Sequence, residues 1–189
     1  MKSAAIHHDH ATFRVILQAM SHPGRTFALP FCGSPARDHA ALIMTLGCLL
    51  DNEVTFSIIE DDDNRVADAI SFQTGSVRVG ISKADFVIAA RGRTDGLLAS
   101  IRRGTLEYPD TGATVVYLID DIAGEGGRFA MSGPGIKGTI HPLFTGLATT
   151  ELNELREVNT EYPLGVDALF LDAHGRIACI PRSIRIGAN

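Results

Sequence analysis

The sequence predicts a single α/β domain in which helices cover a mixed β-sheet. Apolar runs of strand length alternate with segments of helix length along all 189 residues, a pattern typical of a sheet with helices packed on it. Two turn signals, the glycine-rich stretch 124–127 and His174-Gly175, predict antiparallel pairings within that sheet. No repeat, low-complexity stretch or linker divides the chain, so residues 1–189 are expected to form one domain.

The first predicted helix runs from about His10 to Met20 and is followed by the segment MSHPGR. Apolar residues recur through it at helical spacing: Phe13, Ile16, Leu17 and Met20. Pro23 disfavours helical geometry at the residue before it, and Gly24 permits the positive φ of a type II turn. The segment is therefore predicted to end the helix and turn the chain. Residues 1–9, ahead of the helix, are expected to be flexible.

Two more helices and a strand are predicted in the first half of the chain. The second helix lies in PARDHAALIMTLGCLLDNE, with Pro35 near its start and Asp38 as its N-cap. The alternating segment that follows predicts a strand over residues 54–59. The third helix lies in RVADAISFQTG and is closed by Gly75.

Further strands are predicted over residues 86–90 and 113–120, because both runs are short and largely apolar. Between them, the segment TDGLLASIRRG predicts a helix with Thr94 or Asp95 as its cap and Gly104 as its stop.

The rest of the chain predicts two turns and one more helix. A glycine-rich hairpin turn that leads into a further strand is predicted in AGEGGRFAMSGPGI. A charged helix is predicted in TTELNELREVNTEYP and ends before Pro163. A last hairpin, in VDALFLDAHGRIACIPR, turns at His174-Gly175.

Charge and composition argue against nucleic-acid-binding, disulfide-bonded, secreted and membrane-spanning proteins. The net charge is −5 and no basic stretch is longer than Arg102-Arg103, which argues against a nucleic-acid-binding module. Three cysteines stand far apart and are expected to be reduced thiols: Cys32, Cys48 and Cys179. The N-terminus lacks the apolar core of a signal peptide, and the most apolar helix, near residues 40–50, is too short to span a bilayer. A cytoplasmic protein is expected.

Three stretches resemble binding motifs, and a structural role is favoured for each. The segment GPGIKG, residues 133–138, matches the dinucleotide-binding pattern GxGxxG, but TIHPLF follows it instead of a helix, so a Rossmann site is rejected. The segment HHDH, residues 7–10, has no second ligand cluster, and His141 and His174 would complete a metal site only through the fold. The segment EDDDNR lacks the glycine and terminal Glu of a calcium loop.

The sequence contains no complete set of catalytic residues from a known motif. It contains no GxSxG nucleophile elbow, no GxxxxGK[ST] phosphate loop and no cysteine at an activating helix start. Of the three lysines, Lys83 and Lys137 are the candidates for Schiff-base chemistry. No metal or cofactor is predicted.

Two arginines are the candidate ligand-binding residues. Arg25 follows the Pro-Gly turn, and Arg182 follows Pro181 at the end of an apolar strand, with Ser183 and Arg185 close by. The planar guanidinium group suits phosphate or phosphonate recognition. The alternative for each is a structural ion pair or a cap on backbone carbonyls, and the sequence leaves both open.

Five segments in a fixed order carry a resemblance to a known family: FRVILQAMSHPGR, MTLGCLLDNEVTF, SGPGIKG, YPLGVDALFLD and IPRS. Together they resemble the PhnH family, a subunit of the bacterial carbon–phosphorus lyase machinery for phosphonate use. The resemblance runs from about Phe13 to Ser183. The chain departs from the family pattern at Gly47-Cys48, where an Ala-Asp-type pair is expected.

The resemblance implies a fold similar to the large domain of PLP-dependent transferases, without PLP. It implies a subunit that acts with PhnG and PhnI, and with PhnJ in the assembled core, when a phosphonate is attached to ribose C1 of ATP and adenine is displaced. It also implies a homodimer in isolation and no autonomous catalysis. Two alternatives stay open: a PLP- or nucleotide-binding enzyme acting alone, and a small-molecule-binding homodimer independent of the lyase.

Overall fold

The computed structural model describes residues 2–30, 39–60 and 64–188 of the chain. Within these residues it has four helices and eleven strands. The helices are α1 (Lys2–Ser21), α2 (Ala40–Gly47), α3 (Arg65–Thr74) and α4 (Glu151–Val158). The strands are β1 (Phe27–Ala28), β2 (Thr55–Ile59), β3 (Val77–Arg78), β4 (Phe86–Ala89), β5 (Thr114–Ile119), β6 (Asp121–Glu125), β7 (Phe129–Ser132), β8 (Pro142–Thr145), β9 (Asp167–Asp172), β10 (Arg176–Ile180) and β11 (Arg185–Ala188).

Seven strands form one mixed sheet in the order β1-β10-β9-β5-β4-β2-β3. Strands β9, β5, β4, β2 and β3 run parallel, while β10 and β1 pair antiparallel at one end. The central strands are almost continuously apolar, as expected for strands covered on both faces. The predicted α/β class and mixed sheet are confirmed.

The sheet has a separate apolar core on each face. On one face the helices α1, α2 and α3 bury residues such as Leu42, Leu46 and Ile70. On the other face lie α4 and the four strands outside the large sheet, where Phe170 stacks between Tyr117 and Phe144 at ring-centroid distances of 5.2 and 4.2 Å. Alternate residues of each central strand supply the two cores.

The glycine-rich turn joins strands that belong to different ladders. A hairpin was predicted there, but β6 pairs antiparallel with β8, and β7 pairs antiparallel with β11. The backbone N–H groups of Gly126 and Gly127 donate to the carbonyl of His141, at 2.9 and 2.8 Å. The turn is held by a residue distant in sequence, and the local glycine signal gives no information about that partner.

Several predicted elements have different lengths in the structure. Helix α1 begins at Lys2 instead of near His10; the flexibility predicted for residues 1–9 stays a prediction, since helical geometry does not measure motion. Helix α2 begins at Ala40, after His39, while Pro35 and Asp38 lie outside the described residues. None of the helices in the described part of the chain is long and apolar enough to cross a membrane.

The helix predicted in TDGLLASIRRG is wrong. Only a 3-10 turn forms, at Leu97–Ser100, and Gly104 lies in the loop beyond it. Both Leu98 and Ile101 are buried, and their spacing of three residues matches the 3-10 repeat. Thr94 does not cap a helix, because its backbone N–H and its hydroxyl donate to a buried carboxylate described below.

Candidate functional site: an arginine-lined cleft

The segment MSHPGR ends α1 as predicted. The helix stops at Ser21, and a turn follows in which the N–H of Arg25 donates to the carbonyl of His22 at 3.2 Å. Gly24 has a φ of 72°, as the third residue of a type II turn requires. Its N–H donates to the carbonyl of Cys179 at 2.9 Å, so the turn is attached to the last residues of β10.

The glycine-rich loop after β7 packs against the same turn. A side chain at Gly135 would meet the ring of Pro23 at 2.7 Å, and one at Gly133 would meet the side chain of Ile184 at 3.0 Å. No helix follows this loop in residues 133–150, which confirms that GPGIKG is not a Rossmann fingerprint. The glycines instead let three backbone segments approach closely: MSHPGR, SGPGIKG and IPRS.

Arg182 makes an ion pair that holds two loops together. Its Nε and one terminal nitrogen donate to Oδ2 of Asp167 at 3.1 and 2.6 Å, and its backbone N–H donates to Oδ1 at 2.8 Å. The guanidinium group also donates to the carbonyls of Pro109, at 2.7 Å, and Gly112, at 3.3 Å. The side chain is only 14% exposed. This is the structural ion pair that the sequence left open; contact with a ligand stays a prediction.

Beside this ion pair lies a cleft of about 720 Å³. Its polar lining includes three arginines and four hydroxyl-bearing residues: Arg156, Arg182, Arg185, Ser132, Thr160, Tyr162 and Ser183. Among the described residues that line it there is no carboxylate. On a chain with a net charge of −5, the cleft is a local concentration of positive charge.

Two regular elements position the other arginines. Arg156 lies in the last turn of α4, which is anchored by the buried side chains of Leu155 and Val158. Arg185 is the first residue of β11 and lies opposite Ser132 of β7. Its two neighbours Ile184 and Ile186 are buried while Arg185 is exposed, because successive side chains of a strand point to opposite faces.

Arg156 and Arg185 differ from Arg182 in their partners. Neither forms an ion pair with a carboxylate among the described residues, whereas Arg182 is bound on two sides by Asp167. The cleft is therefore lined by two arginines that have no carboxylate partner among the described residues. Sequence reasoning singled out Arg182 and noted Arg185 nearby, but it missed Arg156. The pattern of a charged helix does not show that its one basic residue lies beside the chain's last strands.

Arg25 is exposed at the surface and does not line this cleft. Its guanidinium group makes no ion pair with another residue in the described part of the chain. The structure thus does not bring Arg25 and Arg182 together in one cleft. A ligand-binding role for Arg25 stays a prediction.

A second cleft, of about 540 Å³, lies at the carboxyl ends of the parallel strands. Ligands of α/β proteins commonly bind at this edge, and here Arg91, Asp120 and Asp172 contribute mixed charges. Asp172 is already engaged: it accepts hydrogen bonds from the backbone N–H groups of His174 and Arg176, at 2.9 and 3.0 Å, and from Nε of Arg176 at 2.6 Å. It stabilises the hairpin between β9 and β10.

A buried carboxylate stands at the start of α4. Glu151 is fully buried; it accepts hydrogen bonds from the hydroxyl of Tyr117 at 2.8 Å and from the N–H of Thr94 at 2.7 Å. Burial raises the pKa of Glu151, and burial also raises the pKa of Tyr117. The sequence contains no signal for this cluster, because a glutamate in the first turn of a charged helix is normally solvated.

The cysteines, lysines and candidate metal ligands singled out in the sequence do not form a reactive site among the described residues. Burial raises the pKa of the Cys48 thiol to about 11 and raises that of Cys179 as well, which opposes thiolate chemistry. Lys83 and Lys137 are exposed and line neither of the two clefts. Within the described residues no three histidines, cysteines or carboxylates group as metal ligands. Cys32 and the side chains of the first two histidines in HHDH lie outside the described part.

Comparison with known proteins places this α/β chain in bacterial phosphonate metabolism. The model of a family described as "Bacterial phosphonate metabolism protein (PhnH)" matches residues 2–187. A protein of Stutzerimonas stutzeri whose name describes it as a C-P lyase subunit, HtxG, is 31% identical over 180 residues, which cover 92% of this chain and 83% of HtxG. The chain belongs to the PhnH family, as the five ordered segments predicted.

Proposed function

We propose that this chain is a subunit of a carbon–phosphorus lyase, needed when a phosphonate is transferred to ribose C1 of ATP with release of adenine. The family match over residues 2–187 carries the proposal, and the name of HtxG supports it. The proposed partners are PhnG, PhnI and PhnJ, and the proposed compartment is the cytoplasm, where ATP is available.

The proposal assigns no autonomous catalysis to this chain. Both described thiols have a raised pKa, and the buried Glu151 and Tyr117 are consumed by hydrogen bonds to each other and to Thr94. A nucleophile beside a general base would be the signature of independent chemistry. The two described thiols, with their raised pKa, do not meet this requirement, and the proposal gives the chain a binding or assembly role.

Exposed apolar side chains support association with other subunits and with a second copy of the chain. Phe13 and Leu17 lie one turn apart on α1 and are 42% and 50% exposed, while Phe72 on α3 is 94% exposed. Apolar side chains that form a contiguous patch on a surface are typical of interfaces, and Phe13 and Leu17 are neighbours on α1. The proposal also includes a likeness to the large domain of PLP-dependent transferases, which superposition on such a domain would test.

Reconstitution tests the proposed function. PhnG, PhnI and PhnJ are purified with and without this chain, and adenine release is measured from ATP plus methylphosphonate. Adenine release is expected only when the chain is present, and the chain is expected to share a gel-filtration peak with its partners. Undiminished release without it contradicts the proposal. A PLP-type absorbance of the isolated chain, lost on replacement of Lys83 or Lys137, would favour an enzyme that acts alone.

Ligand contact by Arg25 is part of the proposal and has its own test. Since the side chain is exposed and makes no described ion pair, Arg25→Ala is expected to change the free energy of unfolding by less than about 0.5 kcal/mol. It is expected to weaken the binding of methylphosphonate or ATP, measured by calorimetry. Unchanged affinity would remove Arg25 from the site.

A further inference from the structure

We propose that the arginine-lined cleft binds the phosphorus oxyanion of a small ligand, with Arg156 and Arg185 as the direct contacts. The inference rests on the proposed function and deepens it, because both the triphosphate of ATP and a free phosphonate carry such a group. Arg182 then has a different role, since its ion pair with Asp167 holds the wall of the cleft.

Charge is the first argument. Arg156 and Arg185 line the same cleft, and no carboxylate among the described lining residues neutralises them. Like charges that converge on one concave surface repel each other, and an anion between them removes this repulsion. A guanidinium group offers a planar pair of N–H donors that matches two oxygens of a phosphoryl or phosphonyl group.

The hydroxyl groups in the cleft add matching donors. Ser132 and Ser183 line it together with the arginines, and neither hydroxyl bonds to another residue in the described ranges. Ser132 lies directly opposite Arg185 in the pairing of β7 with β11. An O–H donor beside a cation suits a tetrahedral oxyanion, whose oxygens each accept more than one hydrogen bond.

The cleft is built on fixed backbone, which lowers the entropic cost of binding. Arg156 stands on α4, and Asn159 at the end of this helix is tied to the backbone of Val166 by two hydrogen bonds, of 2.8 and 3.0 Å. Gly133 lies against Ile184, where a side chain would not fit without a shift. Both walls are therefore held by contacts within the chain itself.

The size of the cleft favours a ligand larger than inorganic phosphate. A volume of about 720 Å³ lies within the range of small-molecule sites, roughly 300–1,000 Å³. A single phosphonate group would fill only part of a cleft of this size. We therefore expect a triphosphate to bind more tightly than a simple phosphonate.

Calorimetry on the full chain tests the inference, with tripolyphosphate, ATP and methylphosphonate as probes. Tripolyphosphate and ATP are expected to bind with similar affinity, which would identify the triphosphate as the recognised part. Arg156→Gln and Arg185→Gln are each expected to raise Kd by about tenfold or more, and the double variant to abolish binding. Arg14→Gln, on an exposed arginine of α1 that does not line the cleft, is the matched control and should bind normally.

Two outcomes overturn the inference. One is that the wild-type chain binds none of the three probes, and the other is that both glutamine variants bind them like the wild type. In the first case, loss of co-elution with the partner subunits in Arg156→Glu or Arg185→Glu would make the cleft an interface for acidic protein segments. A preference for methylphosphonate over tripolyphosphate would keep the site and change its ligand to a free phosphonate.

The two proposals fail in different experiments. Binding to the isolated full chain decides the inference without any partner subunit, whereas adenine release in the reconstituted system decides the proposed function. If the chain binds tripolyphosphate but adenine release does not need it, only the proposed function fails. If adenine release needs the chain but the isolated chain binds no anion, only the inference fails.

Discussion

Arg182 shows how much of the cleft depends on one side chain. Its guanidinium group joins Asp167 at the start of β9 to the carbonyls of Pro109 and Gly112. Asp167 is the first residue of β9, and the two carbonyls belong to the 3-10 turn Pro109–Thr111 and to the residue that follows it. Loss of this group removes the donors of Asp167 Oδ2 and of the Gly112 carbonyl. Asp167 Oδ1 keeps the backbone N–H of residue 182, and the Pro109 carbonyl keeps the N–H of Gly112. An unpaired, partly buried acceptor is costly.

Arg182→Ala is predicted to lower the free energy of unfolding by about 2–4 kcal/mol, because it breaks a largely buried ion pair and two further hydrogen bonds. Urea denaturation measures this. Arg103→Ala is the control: Arg103 pairs with Glu161 at 3.5 Å on an exposed surface and should cost about 0–1 kcal/mol. Full stability of Arg182→Ala together with lost ATP binding would instead identify Arg182 as a ligand.

At the start of α4 and in the loop after β7, the surroundings of a residue depend on how whole elements pack. Glu151 is buried because α4 packs its first turn against Tyr117 of β5, and no local sequence pattern shows that. For the loop after β7, the sequence does show the glycines, but it does not show which residues they pack against.

The sequence could predict features that depend on local residues, and it could not predict features that depend on distant ones. Gly75, which closes α3 with its N–H on the carbonyl of Ser71, and the hairpin at His174-Gly175 were predicted correctly because both are local. The pairing of β6 with β8 and the 3-10 turn at Leu97–Ser100 depend on distant partners. The presence of Arg156 and Arg185 in one cleft depends on distant segments in the same way.

Gly133→Ala is predicted to destabilise the chain by about 1–3 kcal/mol, because the new methyl group meets Ile184 at 3.0 Å and the φ of 145° disfavours a side chain. The same change is expected to weaken tripolyphosphate binding by shifting one wall of the cleft. Gly80→Ala is the control, since nothing lies within 4 Å of a side chain there. Equal stability of the two variants in thermal denaturation would disprove the close approach.

The buried carboxylate of α4 predicts a pH dependence. Burial raises the pKa of Glu151 in the folded state above its ordinary value of 4.5. The folded chain therefore binds this proton more tightly than the unfolded chain, and the stability gained below pH 4.5 is lost as the pH rises through the folded pKa. Glu151→Gln, which cannot ionise, should gain stability relative to the wild type between pH 4.5 and 7. Urea denaturation at both pH values measures the difference, and a constant difference would contradict the prediction.

At the scale of the whole molecule, the central strands connect the two cores. Leu169 and Phe170 are neighbours in β9, yet Leu169 belongs to the core under α1, α2 and α3, and Phe170 belongs to the core under α4. Neither core can lose its strand residues without disturbing the other. The predicted single domain over residues 1–189 therefore implies one cooperative unit.

Leu169→Ala is predicted to lower the stability of the cores on both faces of the sheet, although it removes side-chain atoms from only one of the two cores. A buried leucine replaced by alanine costs about 2–5 kcal/mol, and cooperative unfolding spreads this cost to every amide that exchanges only through global opening. Hydrogen exchange measures it at Leu46 in α2 and at Leu155 in α4, which lie on opposite faces of the sheet. Phe170→Ala, the matched change on the other face, should reduce protection of the same two amides. Loss of protection confined to the mutated face in either variant would mean that the two cores unfold separately, and the chain would then contain two folding units instead of one.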